Sequence, residues 1–369
     1  MRVFSSDWPA HSGTHLVFDK RRPLSTPALM VDLDIFDANV AAMAELLRGT
    51  GKIVRPHVKT HRTPELARRQ LGDSARRVTC ATAGEAEAMV AAGIDDVLIA
   101  NEVVDEPKVE RLAELAQRAT VTVAADDPEP VATLSRAAVR RGATVGVLVD
   151  VDIMLHRCGV TSIGEALALA RLIDRAPRLE MRGIMGYEGR VRPNTKDRAQ
   201  KIAAAYRMLR DVRDALVKDG HRVDVVSASG TSTVREALAD PTINELQSGV
   251  YALMEPELLV MDLPFRCAAS IRGTVISRHD DHMVVDVGRR VVGIEYGPPV
   301  PIGFAAENIA MSDEHATVRM SEPIPPVGAQ VDFIPGQIRT TFNLHDHVWV
   351  TSGGCIVDFW KVAARGSSQ

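Results

Sequence analysis

The chain has 369 residues, of which 46% are hydrophobic and 25% charged, a composition that is usual for soluble globular proteins. Its net charge of −4 and isoelectric point near 6.3 give no electrostatic reason to expect binding to nucleic acid or to an anionic membrane surface. The longest apolar runs are far shorter than the roughly 18 residues needed to cross a bilayer. We therefore expect neither nucleic acid nor a membrane among its partners.

The N-terminal stretch lacks the unbroken apolar segment of a secretory signal peptide. The four cysteines are widely scattered, without CxxC or zinc-finger spacing, which favours reduced thiols. We therefore expect a cytoplasmic protein. The cysteines are Cys80, Cys158, Cys267 and Cys355.

In chain order, a strand and an amphipathic helix are predicted first, from the stretch PALMVDLDIFDANVAAMAELLRG. Eight β-branched runs then alternate with Ala-, Leu- and Arg-rich segments of helical spacing. Thr82, three residues before Glu85, and Pro64, directly after Thr63, are signals for the start of a helix. The eight runs span residues 54–59, 77–82, 96–101, 120–125, 144–152, 179–187, 223–229 and 243–247.

Eight strands that alternate with helices favour a (β/α)₈ barrel. An open doubly wound sheet is the competing fold, but no GxGxxG follows the first strand. Beyond residue 262, strand-like runs are separated by Gly-, Pro-, His- and Asp-rich turns, with no segment of helix length between them. We therefore predict an α/β protein with a TIM barrel at residues 33–261 and a mostly β domain made of residues 1–32 and 262–369.

The first run, VRPHVKTH, alternates apolar and polar residues, which is the period of a β-strand. Its polar face would carry Arg55, His57, Lys59 and His61. One explanation is an edge strand whose polar face meets water. The other is a barrel strand whose polar face looks into the mouth of the barrel.

Barrel enzymes build their active sites at the carboxyl ends of the strands. The seventh run ends in SASGTST and the eighth leads into QSGVY, and small-residue loops at these two places commonly bind phosphate. A phosphate site facing Lys59 across the mouth predicts pyridoxal phosphate, which has both a phosphate and an aldehyde. A lysine forms a Schiff base only as the free amine, and Arg55, His57 and His61 would lower the pKa of Lys59.

The chain resembles the D-threonine aldolase and D-serine dehydratase group of fold-type III pyridoxal-phosphate enzymes, which join an alanine racemase-like barrel to a β domain. The resemblance covers nearly the whole chain in consistent order. It is carried by the stretches TPALMVDLDIFDANVAAM, RPHVKTH, CATAGEAEAMVAAGIDDVLIANEVV, HRCGV, GYEG, ELQSGVYALM and SDEH.

This resemblance implies that Lys59 forms the Schiff base, that Arg157 lies near the phenolic oxygen of the pyridoxal ring, and that Tyr187 lines the ring or the substrate. The alternatives are a surface ion-pair partner for Arg157 and a core aromatic for Tyr187. Val250 stands where the family often has Ser or Thr, so only its backbone N–H would serve the phosphate. The phosphate-binding residues implied are Ser229, Gly230, Thr231, Gly249, Val250 and Tyr251.

The chain departs from the family at the residues that usually bind a divalent metal, a histidine followed two residues later by Asp or Cys. In the stretch IPGQIRTTFNL these positions are Gln337 and Arg339. Glutamine is a poor ligand and a guanidinium is not one, so we predict that this metal is absent. Arg339 would place a fixed positive charge there, available to a substrate carboxylate or hydroxyl.

A histidine pair follows in the stretch HDHVWVT, where His345 and His347 would share one face of a strand. Two histidines without a third protein ligand are more often polar strand residues than a metal site, so we predict no metal there. His347 remains a candidate acid or base.

The resemblance predicts a lyase that cleaves a β-hydroxy-α-amino acid of D configuration into glycine and an aldehyde, in this chain without a metal. Because the metal usually engages the β-hydroxyl, one of the histidines His57, His61, His345 or His347 would have to replace it. The alternatives are a racemase, a β-eliminating dehydratase of D-serine or 3-hydroxyaspartate, and a non-catalytic pyridoxal-phosphate carrier, which the β domain argues against. The expected partners are a small amino acid substrate and a second copy of the chain in a homodimer.

Overall fold

The computed structural model describes residues 24–72, 76–321 and 323–368. These residues form an eight-stranded parallel sheet surrounded by helices and a nine-stranded mixed sheet. The predicted fold class, a (β/α)₈ barrel with a second, mostly β domain, is confirmed. The part of the predicted β domain at residues 1–23 lies outside the described residues.

Each predicted run of the barrel contains a strand, and neighbouring strands pair in parallel. Strand β1 (Ala28–Asp32) precedes the barrel and belongs to the other sheet. The barrel strands are β2 (Ile53–Val54), β3 (Arg77–Cys80), β4 (Asp96–Glu102), β5 (Thr120–Ala125), β6 (Val145–Val151), β7 (Leu179–Gly186), β8 (Val225–Ala228) and β9 (Glu245–Leu246).

The barrel sheet runs in the order β2-β9-β8-β7-β6-β5-β4-β3 and closes where β2 meets β3. There His57 and Thr79 form a parallel bridge, and the Thr79 N–H donates to the carbonyl oxygen of Pro56 over 2.9 Å. The strands are rich in β-branched residues because a parallel sheet is covered on both faces. Strand β6 is buried at every position.

Helices cover the outside of the barrel, and both predicted start signals are confirmed. The Thr82 hydroxyl accepts a hydrogen bond from the Glu85 N–H over 3.1 Å, and Pro64 opens the helix that follows Thr63. None of the helices within the described ranges combines the length and the apolar character that a membrane crossing requires. The helices are α1 (Leu33–Leu47), α2 (Pro64–Leu71), α3 (Ala83–Ala91), α4 (Glu106–Leu115), α5 (Pro128–Arg141), α6 (Ile163–Arg175), α7 (Arg198–Lys218) and α8 (Val234–Ala239).

Short 3₁₀ turns follow several barrel strands at their carboxyl ends and lead into the loops of the mouth. They are Val58–Thr60, Thr231–Thr233, Val250–Ala252 and Pro256–Met261.

The second sheet joins β1 to the chain that follows the barrel. Strand β1 pairs antiparallel with β10 and parallel with β16. This pairing supports the predicted grouping of the strand before the barrel with the chain after residue 262. The further strands are β10 (Ala269–Arg278), β11 (His282–Val285), β12 (Val300–Ile302), β13 (Asn308–Met311), β14 (Ala316–Arg319), β15 (Gln330–Ile334), β16 (His347–Ser352) and β17 (Cys355–Lys361).

The predicted first strand is wrong beyond its first residues. Only Ile53–Val54 forms the strand, and Lys59 lies in the 3₁₀ turn Val58–Thr60. Pro56 has no N–H to give to the ladder, and regular pairing does not continue past it. The four polar residues of the run therefore do not share one strand face.

A helix also replaces part of the strand predicted in the second domain. Residues Ile338–Leu344 form helix α9, and the side chain of Gln337 caps it by accepting from the Thr340 N–H over 3.1 Å. Ile338, Thr341 and Phe342 are its buried residues, a spacing of three and four that is helical rather than alternating.

A thin apolar layer fills the middle of the barrel and separates its two ends. Leu98, Ala124, Leu148 and Met185 pack together in this layer. Met185 borders the cavity at the carboxyl ends of the strands, whereas Leu98 and Leu148 border a charged cavity at the amino ends. The layer is the floor of the mouth.

Candidate active site

A cavity of about 290 Å³ opens at the mouth of the barrel, where its wall is completed by the second domain. Most of the residues that the sequence nominated meet there, although they come from distant parts of the chain. The nominated residues that line it are His57, Lys59, Arg157, Tyr187, Ser229, Gly230, Thr231, Gly249, Val250 and Arg339. Three others, His61, Tyr251 and His347, are not among its lining residues.

The amine of Lys59 is buried in this cavity, with its Nζ 5.7 Å from the centre of the Tyr187 ring. Burial lowers the pKa of Lys59 to about 8, and the positive charges of Arg339, Arg157 and Arg62 act in the same direction. The sequence had predicted a lowered pKa from different neighbours.

Arg55 is not one of the charged groups that shift the pKa of Lys59. Its guanidinium contacts Glu245 over 2.9 Å and Asp96 over 2.8 Å, and all three residues border the cavity at the amino ends of the strands. The prediction that Arg55 faces the mouth is therefore wrong. The side chain ends in the opposite half of the barrel, beyond the apolar layer.

His57 is the histidine that the structure brings to the mouth. It is 7% exposed, and its Nδ1 is buried and has no hydrogen-bond partner among the described residues. Burial, followed by the charge of Lys59, lowers the pKa of His57 well below its usual value. Its imidazole is therefore neutral at physiological pH and able to accept a proton.

His61 lies behind the cavity wall, where it is fully buried. Its Nδ1 accepts from the Thr63 N–H over 3.1 Å, so its Nε2 must be the nitrogen that donates to Gln70 Oε1 over 2.9 Å. Burial lowers the pKa of His61 to about 4. Both nitrogens are occupied, which indicates a structural residue rather than a base.

The two candidate histidines of the second domain do not line the cavity either. His347 is exposed at the start of β16, where its ring stacks on Phe359 with the centroids 4.5 Å apart. His345 Nε2 contacts the carbonyl oxygen of Val291 over 2.7 Å. The structure therefore does not place either histidine where a catalytic base would stand.

The loops after β8 and β9 form the predicted cradle on the opposite side of the mouth from Arg157. Ser229 adopts a left-handed backbone with φ of 73°, which is uncommon for a residue with a side chain and often marks a functional loop. A Cβ on Gly249 would lie 2.3 Å from the carbonyl oxygen of His57, so only glycine fits there. The hydroxyl of Ser248 beside it is buried and unpartnered among the described residues.

Tyr251 supports this cradle from behind rather than lining it. Its N–H donates to Thr231 Oγ1 over 3.0 Å, and its side chain is 1% exposed and packs against Phe265. Since Gly249 brings the backbone close to the lysine loop, the cradle and the amine of Lys59 share one cavity. A small-residue cradle that shares a cavity with a lysine amine fits pyridoxal phosphate.

Arg157 lines the opposite side of the mouth, beside a group of acids. Burial and the charge of Glu102 raise the pKa of Asp150 well above its usual value, and Arg157 opposes this rise. Glu102, Asp126 and Cys158 have ligand atoms within 4.8 Å of one another, the one such set that could hold a cation among the described residues. The two carboxylate oxygens of Glu102 are buried beside the side chains of Asp150 and Cys158.

The residues at the usual metal positions do not fit a divalent ion. The Oε1 of Gln337 is already bonded to the Thr340 N–H, and the guanidinium of Arg339 carries a positive charge that would repel a cation. Arg339 instead forms a salt bridge with Glu255 over 3.0 Å. Its fixed charge therefore stands on the cavity wall, and it lowers the pKa of Lys59.

Several lining residues were missed by the sequence analysis. Arg192, Glu255, Glu257 and Tyr296 form a network with Arg339, and no motif marks them because they come from three separate segments. Gln247 is the one that strand-end reasoning could have found, because it directly follows β9.

Gln247 is held in place by a chain of hydrogen bonds that runs down the barrel. Its Nε2 donates to Ser227 Oγ over 3.0 Å, and Ser227 donates to Glu245 Oε1 over 2.8 Å. Glu245 in turn binds Arg55. Because the carboxylate can only accept, the direction of both bonds is fixed.

Two family profiles match the chain. One is described as the N-terminal domain of alanine racemase and matches residues 31–255, and the other is described as a serine dehydratase domain and matches residues 268–351. Together they span the barrel and most of the second domain.

Individual proteins are similar over nearly the full length. A D-threonine aldolase from an Arthrobacter species is 34% identical over 357 residues, covering 94% of this chain and 94% of the relative. A 3-hydroxy-D-aspartate aldolase from Paracoccus denitrificans (strain Pd 1222) is 33% identical over 359 residues, covering 93% and 92%. The crystal structure of a D-threonine aldolase from Filomicrobium marinum matches with a TM-score of 0.90 at 34% identity, covering 94% of this chain and 97% of that one.

Proposed function

The chain belongs to the D-threonine aldolase-like family, in which an alanine racemase-like barrel carries a serine dehydratase domain, and on this basis we propose that it is a pyridoxal-phosphate-dependent lyase of β-hydroxy-α-amino acids. The relatives are named for D-threonine and 3-hydroxy-D-aspartate, which share a β-hydroxyl and the D configuration. We propose the same class of substrate here, cleaved between Cα and Cβ to give glycine and an aldehyde.

The observation that carries this proposal is the buried amine of Lys59, with its pKa of about 8, in one cavity with the cradle formed by the loops after β8 and β9. Lowering the pKa from 10.5 to about 8 increases the fraction of free amine at neutral pH by about two orders of magnitude. When bound, pyridoxal phosphate would supply an aldehyde that bonds to amines and a ring that accepts the electrons of a bond broken at Cα.

Other residues of the cavity have roles that follow from their chemistry. Arg157 lines the cavity and makes no salt bridge with a carboxylate among the described residues, so we propose that its positive charge attracts the substrate carboxylate. The neutral imidazole of His57, with Nδ1 unpartnered, is the candidate to accept the proton of the β-hydroxyl. Tyr187 bounds the space above the lysine.

We further propose that the reaction does not use the metal of the family. The support is the donor chemistry of Gln337, whose amide oxygen is occupied, and of Arg339, whose charge repels cations. We also propose that the chain forms a homodimer in the cytoplasm and that its two domains divide at residues 32 and 261.

Product analysis tests the proposal. Purified protein reconstituted with pyridoxal phosphate is incubated with D- and L-threonine, D-serine, D-3-hydroxyaspartate and D-alanine. We expect glycine and an aldehyde from the D-β-hydroxy substrates. Ammonia and a keto acid would instead indicate a dehydratase, and inversion of D-alanine a racemase.

A carrier protein would give a different result. It would bind the cofactor and show a spectral change with amino acids, but it would release no product from any of them. That outcome would contradict the proposed function while leaving cofactor binding intact.

A further inference from the structure

The hydroxyl of Tyr296 lies between two guanidinium groups in the cavity wall. Its oxygen accepts a hydrogen bond from Arg192 Nη1 over 3.0 Å and another from Arg339 Nη2 over 2.9 Å. The two guanidinium carbons lie 4.1 Å and 5.5 Å from the centre of its ring. Contacts on both the oxygen and the ring fix the position of this phenol.

The direction of these hydrogen bonds leaves the phenolic hydrogen unused. A guanidinium has donors only, so the oxygen of Tyr296 must accept from both Arg192 and Arg339. For its own hydrogen, the described part of the chain offers no acceptor within hydrogen-bond reach. Since Tyr296 lines the cavity, this hydrogen is available to a bound molecule.

The charges of the two arginines are already balanced by carboxylates. Arg339 Nη1 is 3.0 Å from Glu255 Oε1, and Glu255 is 2% exposed. Arg192 contacts Glu257 through Nε and Nη2 at 2.7 to 3.0 Å. The cluster therefore offers a hydroxyl donor held by two arginines whose charges are already paired.

This cluster stands close to the reacting amine. Among the charged groups that influence the pKa of Lys59, Arg339 has the largest effect, and it directly touches Tyr296. The centre of the Tyr187 ring is 5.7 Å from the Lys59 Nζ. Charges of the same cluster also shift the pKa of Tyr187. The Tyr296 hydroxyl and the Lys59 amine therefore belong to one cavity, with Arg339 between the cluster and the lysine's electrostatic surroundings.

We propose that the Tyr296 hydroxyl donates a hydrogen bond to the β-oxygen of the substrate and stabilises the negative charge that develops on it during cleavage. In that step the Cα–Cβ bond breaks, its electron pair stays on Cα, and the β-oxygen becomes a carbonyl oxygen as its proton passes to His57 Nδ1. Tyr296 keeps its own proton throughout. A fixed donor of this kind performs the charge stabilisation that a bound cation would otherwise supply.

This inference rests on the proposed lyase function. Its test distinguishes an error in the role of Tyr296 from an error in the function itself. The variant Tyr296→Phe keeps the ring and loses the hydroxyl. Two reactions are measured on the reconstituted protein: cleavage of D-threonine, which needs the β-oxygen, and exchange of the α-proton of glycine in D₂O, which does not. Binding of pyridoxal phosphate, followed by absorbance, reports on folding of the site.

We expect kcat for cleavage to fall by about 100-fold or more, the usual effect of removing one donor to a developing oxyanion. Glycine exchange and cofactor affinity should stay within about twofold of the unsubstituted protein. The variant Arg192→Gln removes one donor to the phenol and should reduce cleavage by a smaller factor, again without reducing exchange.

Cleavage that is unchanged in Tyr296→Phe, or cleavage and exchange that fall equally, would overturn the inference. A protein that exchanges glycine but cleaves no β-hydroxy amino acid would overturn the proposed lyase function as well. If the unsubstituted protein binds the cofactor but catalyses neither cleavage nor glycine exchange, the proposed lyase function is itself wrong.

Discussion

Glu255 and Arg339 form a salt bridge, with Oε1 3.0 Å from Nη1, that links the segment after the last barrel strand to helix α9 of the second domain. The other carboxylate oxygen of Glu255 accepts from the Ile338 N–H over 3.1 Å. The barrel therefore holds the first turn of α9, and with it the positive charge that acts most strongly on Lys59. The second domain thus contributes Arg339 to the cavity wall, in addition to Tyr296.

Removing that charge should shift the titration of the lysine. Positive neighbours disfavour the ammonium form, so Arg339→Gln should raise the pKa of Lys59 from about 8 towards 10.5. Less free amine would then be present at neutral pH. The rate at which pyridoxal phosphate is taken up, measured by absorbance across a pH series, should have its midpoint at a higher pH than in the unsubstituted protein.

A matched control is Arg48→Gln, which removes an exposed arginine that pairs with Glu45. Its midpoint should stay at the value of the unsubstituted protein. If Arg339→Gln leaves the midpoint in place or moves it to lower pH, the electrostatic account of Lys59 is incorrect.

Gly249 should tolerate no side chain. A Cβ there would lie 2.3 Å from the carbonyl oxygen of His57 and 2.7 Å from Thr60 Oγ1, and the backbone atom cannot move without shifting the lysine loop. Gly249→Ala should therefore destabilise the fold by about 1–3 kcal/mol and weaken cofactor binding. Chemical denaturation and a binding titration measure the two effects.

The paired variant is Gly164→Ala on the exposed start of helix α6. Its new Cβ would have nothing closer than Ser162 Oγ at 4.0 Å. It should keep the stability and cofactor affinity of the parent or gain slightly in stability. Equal losses in the two variants would show that the close approach at Gly249 has no special role.

Substitutions of the three histidines nominated as catalytic should differ in their effects on kcat and on stability. His57→Gln should lower kcat with little loss of stability, because the ring borders the cavity and its Nδ1 has no partner within the described structure. His61→Ala should destabilise the fold by roughly 2–4 kcal/mol, through a cavity and two broken hydrogen bonds. His347→Ala should leave kcat unchanged, since its ring stacks on Phe359 away from the mouth. Unfolding curves and kcat together make the distinction, and a large fall in kcat for His347→Ala would refute this assignment.

Chelation should leave the activity intact. On the proposal that Gln337 and Arg339 do not bind the family's metal, incubation with EDTA followed by gel filtration should not reduce the rate, and added Mn²⁺ should not increase it. Metal analysis of the purified protein should show far less than one ion per chain. Activity that EDTA abolishes would contradict the proposal, and Cys158→Ser would then test the ligand set formed by Glu102, Asp126 and Cys158.

The sequence was sufficient to predict those parts of the site that follow from topology. Once eight strands were counted, their carboxyl ends identified Lys59 and the loop at Ser229, because every strand of a parallel barrel ends at the same rim. The structure places both in one cavity. Alternation alone misled at Arg55, because its partners Glu245 and Asp96 lie on two other strands and local sequence does not reveal which residues of different strands will pair.

The features that sequence did not predict depend on contacts between distant segments. Tyr296, Arg192 and Arg339 converge from three parts of the chain, and none carries a recognisable local motif. Helix α9 was missed because its apolar spacing covers only seven residues, too few for a periodic signal. Its helical state is fixed by the Gln337 cap and by burial of Phe342 against the His61 ring, 6.5 Å away.

The most direct measurement of the central claim is to locate the cofactor's covalent bond. The protein is reconstituted with pyridoxal phosphate, reduced with borohydride, digested and examined by mass spectrometry. The account predicts a phosphopyridoxyl group on the peptide that contains Lys59 and none in the Lys59→Ala variant. An adduct on another lysine, or an unchanged chromophore in Lys59→Ala, would contradict it.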